Sequence, residues 1–308
     1  MVSVTIETIL KKFRNEVSSF NDKTELSTTK HGVWSLKKNL VLYDYIPPFL
    51  KILRNYNYRN IHYYDPFSGS GFFKIGNKIM PGTALVPLLV TKELIKNRKG
   101  LQFDTVNYSD IVKRQVESLR QRANLLRGTL QTTINAETNE FKLIALNKFK
   151  GFPPLPANRY NDAYLVMLDP YGFDVEWKYL ERIAKSGAVD IILTFPSTLA
   201  NWTKTMENSQ DKLTKMYGGE EYQEFDTAED FVENYCEKIE NIPTTWKLKT
   251  KSIEVHAGKQ AYHIICISRS NGALRVFADM QKKYGDLQTE ELEKMFLRAT
   301  EDGLSKWL

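Results

Sequence analysis

The sequence predicts an α/β fold in which helices cover both faces of a mostly parallel β-sheet. Three observations support this prediction. Strand-like and helix-like segments alternate from residue 61 to residue 195, a rhythm typical of parallel sheets. A glycine-containing loop follows the first of these strands. Two further strand-like segments, 252–256 and 262–268, bracket Gly258 and Lys259, which is a hairpin signature and predicts a terminal antiparallel strand.

Hydrophobic spacing predicts the individual elements. A first helix is indicated over 6–20, and a second begins near Trp34 and should end near Pro47 and Pro48, because proline interrupts a helix. Residues 198–241 are long, charged and helix-prone, and they break the rhythm of the core. The core strands are predicted at 61–64, 103–108, 129–134, 163–168 and 189–195, and the core helices at 83–95, 111–126 and 175–185.

These elements are expected to form a single domain over residues 1–308. It comprises N-terminal helices (1–58), a cofactor-binding α/β core (59–197), a helical insertion (198–241), and a closing hairpin with C-terminal helices (242–308).

Composition narrows the class of protein. Apolar residues make up 42% of the chain and charged residues 26%, which is ordinary for a globular domain with a sizeable core. The N-terminus lacks a basic stretch followed by an apolar core, so no signal peptide is expected. The longest uncharged apolar run, 79–90, is too short to cross a membrane. With two distant cysteines and no histidine–cysteine metal spacing, a cytoplasmic protein is expected.

The chain is basic, with a formal net charge of +6 and a pI of about 9.0. A basic protein favours an acidic partner such as nucleic acid. The basic residues are spread along the chain in short groups, however, so a merely solvated basic surface explains the charge equally well.

The loop after the first predicted strand reads Asp65-Pro66-Phe67-Ser68-Gly69-Ser70-Gly71. Glycines let a backbone turn tightly and approach a ligand closely. Loops that bind dinucleotides carry three glycines and face a pyrophosphate, whereas this loop starts with an acid and keeps two glycines. An acid suits the cationic ammonium and sulfonium groups of S-adenosylmethionine. We therefore expect Asp65, Phe67, Gly69 and Gly71 to bind that cofactor; the alternative is a chance strand–turn–helix junction.

Three further residues are candidate cofactor ligands. Asp110 ends the second core strand, where this fold places a carboxylate on ribose hydroxyls; the alternative is that it caps the next helix. Asn135 follows the third predicted strand and could contact the adenine ring, or it could belong to a plain loop. Lys37 lies upstream of the glycine loop and could reach the cofactor or substrate, or it could be a solvated helix lysine.

A second motif, Asp169-Pro170-Tyr171, follows the buried strand 163–168. Methylation of an amine requires mainly that the nitrogen lone pair be aimed correctly. Asp169 and the Pro170 carbonyl could accept hydrogen bonds from a substrate amino group, and Tyr171 could stack on a base. Enzymes that act on flipped bases position their substrates in this way. These three residues are the candidate catalytic residues; the alternative is a polar turn after a strand.

The order of these motifs resembles that of the three-Cys-motif partner (TcmP) family, and more distantly that of the RlmJ-type rRNA adenine-N6 methyltransferases. The resemblance covers most of residues 30–270. It implies a Rossmann-like class I methyltransferase sheet, S-adenosylmethionine as cofactor, and partnership with a radical-SAM protein that carries three cysteines. The matching segments are Trp34–Lys37, Tyr64–Gly71, Pro81–Leu85, Asp169–Gly172, Trp177, Asp190–Pro196 and Tyr262–Ile265.

Three functions are compatible with these features. The first is N-methylation of a nucleic-acid base, which the glycine loop, the Asp169 motif and the basic charge favour. The second is a non-catalytic or weakly catalytic scaffold that docks a partner through the insertion. The third is a methyltransferase for a protein or a small molecule. The fold does not separate them, because function resides in the site.

Overall fold

The computed structural model describes residues 5–18, 28–97, 100–128, 130–147, 161–205, 210–258 and 260–300. The strands are Thr29–Lys30 (β1), Asn60–Asp65 (β2), Phe72–Ile75 (β3), Lys78–Pro81 (β4), Thr105–Asp110 (β5), Thr133–Thr138 (β6), Asp162–Leu168 (β7), Val189–Phe195 (β8), Lys249–Ala257 (β9) and Gln260–Ser268 (β10). The α-helices are Ile6–Ser18 (α1), Ser35–Asn55 (α2), Val86–Lys96 (α3), Lys113–Arg127 (α4), Phe141–Asn147 (α5), Trp177–Lys185 (α6), Ser197–Thr203 (α7), Gln210–Tyr217 (α8), Ala228–Glu240 (α9), Asn271–Tyr284 (α10) and Thr289–Thr300 (α11).

Seven strands form the central sheet, in the order β6-β5-β2-β7-β8-β10-β9. The pairs from β6 to β8 are parallel, and β10 runs antiparallel to both of its neighbours. The predicted mostly parallel α/β fold is therefore confirmed. The hairpin places its reversed strand, β10, one position inside the edge, and Lys259 of the predicted turn lies outside the described residues.

Both faces of the sheet are buried. On β10, Ile264 and Cys266 pack into the core shared with α2 and α10, whereas Ile265 and Ile267 pack into the core shared with α6 and α9. Successive strand residues point to opposite faces, so β10 can be apolar at almost every position. Among the described residues, each helix is too short or too polar to span a membrane.

Helix α2 does not end at Pro47 and Pro48, as the sequence predicts, but continues to Asn55. Each proline removes one backbone donor from the helix. The residues that follow, Phe49 and Leu50, are nevertheless buried in the core. Burial of this apolar face offsets the two missing hydrogen bonds, and the prediction of the helix end was wrong.

The third core strand starts later than predicted. It was expected at 129–134, and β6 is found at Thr133–Thr138; residue 129 lies outside the described residues. Leu130 precedes the strand and is buried, so the sequence pattern includes it in the predicted strand. Pairing with β5, in which Thr133 lies opposite Thr105, sets the true start. Asn135 consequently lies inside the strand rather than after it.

Two other segments, near the N-terminus, differ from the predicted elements. The predicted helix over 6–20 is found at Ile6–Ser18, with residues 19 and 20 outside the described part. Thr29–Lys30, expected as loop, forms a short strand that pairs with β3 in a separate three-stranded sheet, β1-β3-β4. Strands β3 and β4 follow the glycine loop, and Thr29, Phe72 and Phe73 of this small sheet line one side of the cleft described below.

Candidate functional site

A cleft of about 1200 Å³ opens at the carboxyl ends of β2, β5 and β7. Ligands bind at this edge in parallel α/β sheets. The volume exceeds the roughly 300–1000 Å³ of most small-molecule pockets, so the cleft has room for a nucleoside-sized ligand and part of a second molecule. Aromatic side chains form much of its lining, namely Phe67, Phe72, Phe73, Phe141, Tyr171 and Tyr179.

The two glycines of the loop after β2 have different roles. Both have positive φ, +57° at Gly69 and +82° at Gly71, a region that glycine enters without strain. A Cβ atom at Gly71 would lie 2.7 Å from the Leu119 Cδ1 atom, so this glycine lets α4 pack against the loop. A Cβ atom at Gly69 would meet no protein atom within 4 Å. A side chain at Gly69 would therefore enter the open cleft.

Asp65 lies beneath the loop rather than on the surface of the cleft. Its carboxyl group is fully buried, and it accepts hydrogen bonds from the Phe67 amide (3.0 Å) and the Thr83 hydroxyl (3.3 Å). Burial, reinforced by the nearby charge of Asp169, raises the pKa of Asp65 to about 8. The group that was expected to contact the cofactor ammonium thus holds the loop in shape, and it is mostly protonated at neutral pH.

Asp110, at the end of β5, lines the cleft. One carboxylate oxygen accepts from the Gly69 amide (3.1 Å) and the other from the Val112 amide (2.9 Å). Neither bond is a cap of the following helix, because α4 begins with Val112 as its N-cap residue and has no side-chain cap. Asp110 therefore joins the glycine loop to the turn after β5, and a carboxylate oxygen can accept further hydrogen bonds.

The second motif faces the same cleft, at the end of β7. The Asp169 carboxylate forms an ion pair with the Lys38 ammonium, at 2.5 Å, and both side chains are largely buried. The Lys38 nitrogen also lies 5.7 Å from the centre of the Tyr262 ring. Pro170 is half-buried, whereas Tyr171 is 94% exposed at the rim. Hence Asp169 is held in a defined position while Tyr171 is available to a large substrate.

Two predicted site residues do not line the cleft. The Asn135 side chain, inside β6, donates to the Asn107 side chain at 2.9 Å. Lys37 is 2% exposed, and burial lowers the pKa of its ammonium while Glu254 and Asp286 oppose that effect. Successive helix residues point about 100° apart, so Lys38, rather than Lys37, reaches the site. The structure thus does not bring Asn135 and Lys37 together with the glycine loop.

Sequence reasoning missed two cations that the structure places at the loop and the cleft. Lys38 shares a polar stripe of α2 with Ser35 and Asn39, and this i, i+3, i+4 spacing is the signal that could have identified it. Arg122 of α4 is almost fully buried and donates to the Ser70 carbonyl at 2.8 Å. An arginine within an otherwise apolar helix face gives little indication of such a partner.

Comparisons with known proteins give distant similarities. No family model and no curated protein sequence matches the chain. The S-adenosyl-L-methionine complex of Trm1 from Pyrococcus horikoshii is similar at 12% identity and a TM-score of 0.40, over 79% of this chain and 57% of Trm1. The chain thus spans little more than half the length of Trm1.

Two further structures are similar over most of their length. Protein LPL1258 from Legionella pneumophila has 10% identity and a TM-score of 0.46, over 83% of this chain and 93% of its own. The O-methyltransferase TomG from Streptomyces achromogenes, in complex with SAM, has 12% identity and a TM-score of 0.41, over 87% and 92%. At such low identities and TM-scores, the case for function rests on the cleft itself.

Replacing Gly69 with Ala should weaken binding of S-adenosylhomocysteine at least about tenfold, because the added methyl group enters the cleft. Positive φ adds a folding cost of roughly 1–2 kcal/mol. Gly258→Ala is the matched control, since Gly258 has a φ of +66° and equally open surroundings but lies in the β9–β10 turn. It should lose similar stability and keep full affinity in calorimetry. Unchanged affinity of Gly69→Ala would show that the loop does not hold this ligand.

The raised pKa of Asp65 predicts a pH-dependent stability. The unfolded chain ionises this group near pH 4, whereas the folded protein retains its proton up to about pH 8. The stability contributed by that proton is complete below about pH 4 and is lost as the pH rises towards 8. Wild type should therefore lose stability relative to Asp65→Asn between about pH 5 and 8, by at most about 1.4 kcal/mol per pH unit. Urea unfolding at both pH values measures this, and a constant difference would contradict it.

Proposed function

We propose that this protein is an S-adenosylmethionine-dependent methyltransferase that methylates an amine nitrogen of a nucleic-acid base. One observation carries the proposal: the Asp169 carboxylate faces the same cleft as the Gly69 loop. A group able to orient an amine thus lies beside a loop suited to a nucleoside ligand. S-adenosylmethionine supplies an electrophilic methyl group, so the protein needs mainly to position the acceptor.

The acids around the loop favour a cationic cofactor over a dinucleotide. A phosphate-binding loop directs free backbone N–H groups at its ligand, but the Gly69 amide here donates to the Asp110 carboxylate. A pyrophosphate at that position would lie against a negative charge. Asp169 adds a second carboxylate to the lining of the cleft, whereas Asp65 is buried beneath the loop. We propose that Asp110 accepts from the ribose hydroxyls and that Gly69 leaves room for the amino-acid end of the cofactor.

The substrate side is assigned to Asp169, Pro170 and Tyr171. In this proposal Asp169 accepts a hydrogen bond from the substrate amino group, and the exposed Tyr171 ring stacks on the base. Lys38 holds the Asp169 carboxylate in place through their ion pair. The aromatic lining suits flat, uncharged rings, and the net charge of +6 suits the phosphates of a nucleic acid.

Calorimetry followed by an activity screen tests the proposal. S-adenosylhomocysteine should bind with one site per chain, and NAD should not bind. Radiolabelled S-adenosylmethionine should then transfer its methyl group to DNA or RNA rather than to protein. Binding without an acceptor in a broad screen, combined with tight association with a radical-SAM protein, would favour the scaffold function instead.

Asp110→Ala should lower S-adenosylhomocysteine affinity about ten- to a hundredfold, since a lost charged acceptor costs roughly 1.5–3 kcal/mol. Thermal unfolding checks that the variant remains folded, because Asp110 also holds the Gly69 amide. Affinity within twofold of wild type would mean that Asp110 acts only within the loop.

Asp169→Ala should leave S-adenosylhomocysteine affinity nearly unchanged and reduce methyl transfer about a hundredfold or more. That variant leaves Lys38 without its carboxylate, so the double variant Asp169→Ala/Lys38→Met provides the matched control. Both should lose activity to the same extent, as single-turnover rates would show. Wild-type turnover in either variant would make the motif a structural turn.

Tyr171→Ala should raise the apparent substrate dissociation constant, because a stacked base contributes roughly 1–3 kcal/mol. Tyr171→Phe keeps the ring and should bind as wild type does. Equal loss in both variants would point to the hydroxyl group rather than to stacking.

A further inference from the structure

Three side chains that are distant in sequence meet on the face of the sheet covered by α9. They are Glu229 at the start of α9, Glu254 on β9 and His263 on β10, hereafter the Glu229–Glu254–His263 cluster. Each offers one ligand atom, and the three atoms lie within 4.8 Å of one another. Glu254 and His263 are direct cross-strand partners, so the register of the hairpin fixes two of the three members.

The hydrogen bonding of His263 leaves one ring nitrogen for a ligand. His263 is 3% exposed. The Ser197 hydroxyl lies 3.0 Å from Nδ1 and donates its own proton to the Ala261 carbonyl at 3.2 Å. With the Ser197 proton on Ala261, Nδ1 donates to the Ser197 hydroxyl, and the Nε2 lone pair is available to a ligand.

A cation would stabilise the cluster, because its three ligand atoms are all electron-rich. Two carboxylates and an imidazole lone pair repel one another unless a positive charge lies between them. His256 contacts Glu254, at 3.3 Å between Nε2 and Oε2, but both side chains are substantially exposed. The buried Lys37 ammonium is also close enough to Glu254 to interact with it, without an ion pair among the described residues. A favourable helix dipole explains an acid at position 229 but not its convergence on His263.

We propose that the Glu229–Glu254–His263 cluster is a divalent metal site that takes Zn²⁺. One nitrogen and two carboxylate oxygens suit zinc, with water in the fourth position. Tetrahedral zinc bonds of about 2.0–2.2 Å place ligand atoms roughly 3.4 Å apart, and the ligand atoms of the cluster, which lie within 4.8 Å of one another, would reach that spacing by side-chain rotation. Ser197 orients His263 through its hydrogen bond to Nδ1, as the hydrogen-bond partners of metal-bound histidines do. The site would tie α9 to the β9–β10 hairpin.

Calorimetry with zinc chloride on the full chain, after treatment with a chelator, tests the site. Wild type should bind one Zn²⁺ per chain and unfold at a higher temperature when zinc is bound, because the metal stabilises only the folded state. Co²⁺ should substitute and give the visible absorption of a tetrahedral site. No zinc binding to wild type would overturn the proposal.

The variants distinguish the cluster from accidental surface binding. Glu229→Gln and His263→Gln should each lower zinc affinity roughly a hundredfold or more, since even the loss of a residue that only orients a metal ligand lowers metal affinity roughly 10–100-fold. Glu229 is exposed, so its variant is informative even if His263→Gln does not fold. His62→Gln is the matched control, because His62 also lies beside a carboxylate, Asp162, at 3.2 Å; it should bind zinc as wild type does.

One combination of results for these variants would contradict the proposed zinc site directly. If His256→Gln removed zinc binding while Glu229→Gln retained it, the metal would occupy the exposed His256–Glu254 pair instead. Equal affinity of wild type and both cluster variants would likewise exclude the cluster.

Discussion

The buried carboxyl group of Asp65 is the interaction on which the geometry of the cleft depends. At the end of β2 it accepts from the Phe67 amide and from the Thr83 hydroxyl. It thereby fixes both ends of the segment that contains the glycine loop, β3 and β4. The Gly82 amide closes the same segment by donating to the Gly71 carbonyl at 2.6 Å. Without the carboxyl group, donors buried beside the cleft would lose their partner, at a cost of about 1–3 kcal/mol for each.

The same position makes the electrostatics of the cleft unusual. Asp65, Asp110 and Asp169 gather at one edge of the sheet, and the repulsion between them contributes to the raised pKa of Asp65. The ion pair with Lys38 compensates Asp169. In our proposal a cationic cofactor supplies positive charge beside Asp110, whose bond to the Gly69 amide makes that amide unavailable to a phosphate. Asp65 determines the shape of the loop and, at neutral pH, adds little to its charge.

The sequence predicts the sheet well because parallel strands buried on both faces and glycine-rich turns leave strong local patterns. It also identifies the loop and the Asp169 motif, since both directly follow buried strands. The sequence does not predict features that depend on the rotational phase of a helix or on the pairing of strands. The rotational phase of α2 decides that Lys38 rather than Lys37 reaches the cleft, and pairing with β5 places Asn135 inside β6. The two-residue turn predicted at Gly258 and Lys259 does imply that Glu254 pairs with His263, but no spacing along the chain brings Glu229 of α9 to that pair.

A crystal structure of the protein with S-adenosylhomocysteine would show directly where the cofactor binds. We expect the ligand in the cleft at the carboxyl ends of β2, β5 and β7, with its ribose hydroxyls on Asp110 and its sulfur directed towards Asp169. A second cavity, of about 200 Å³, lies between α2, β8 and α10 and is lined by Tyr45, Asp190 and Arg269. If the ligand lay in that second cavity, the proposed cofactor site would be wrong. If it lay in the main cleft with Asp110 out of reach of the ribose, the proposed role of Asp110 would be wrong.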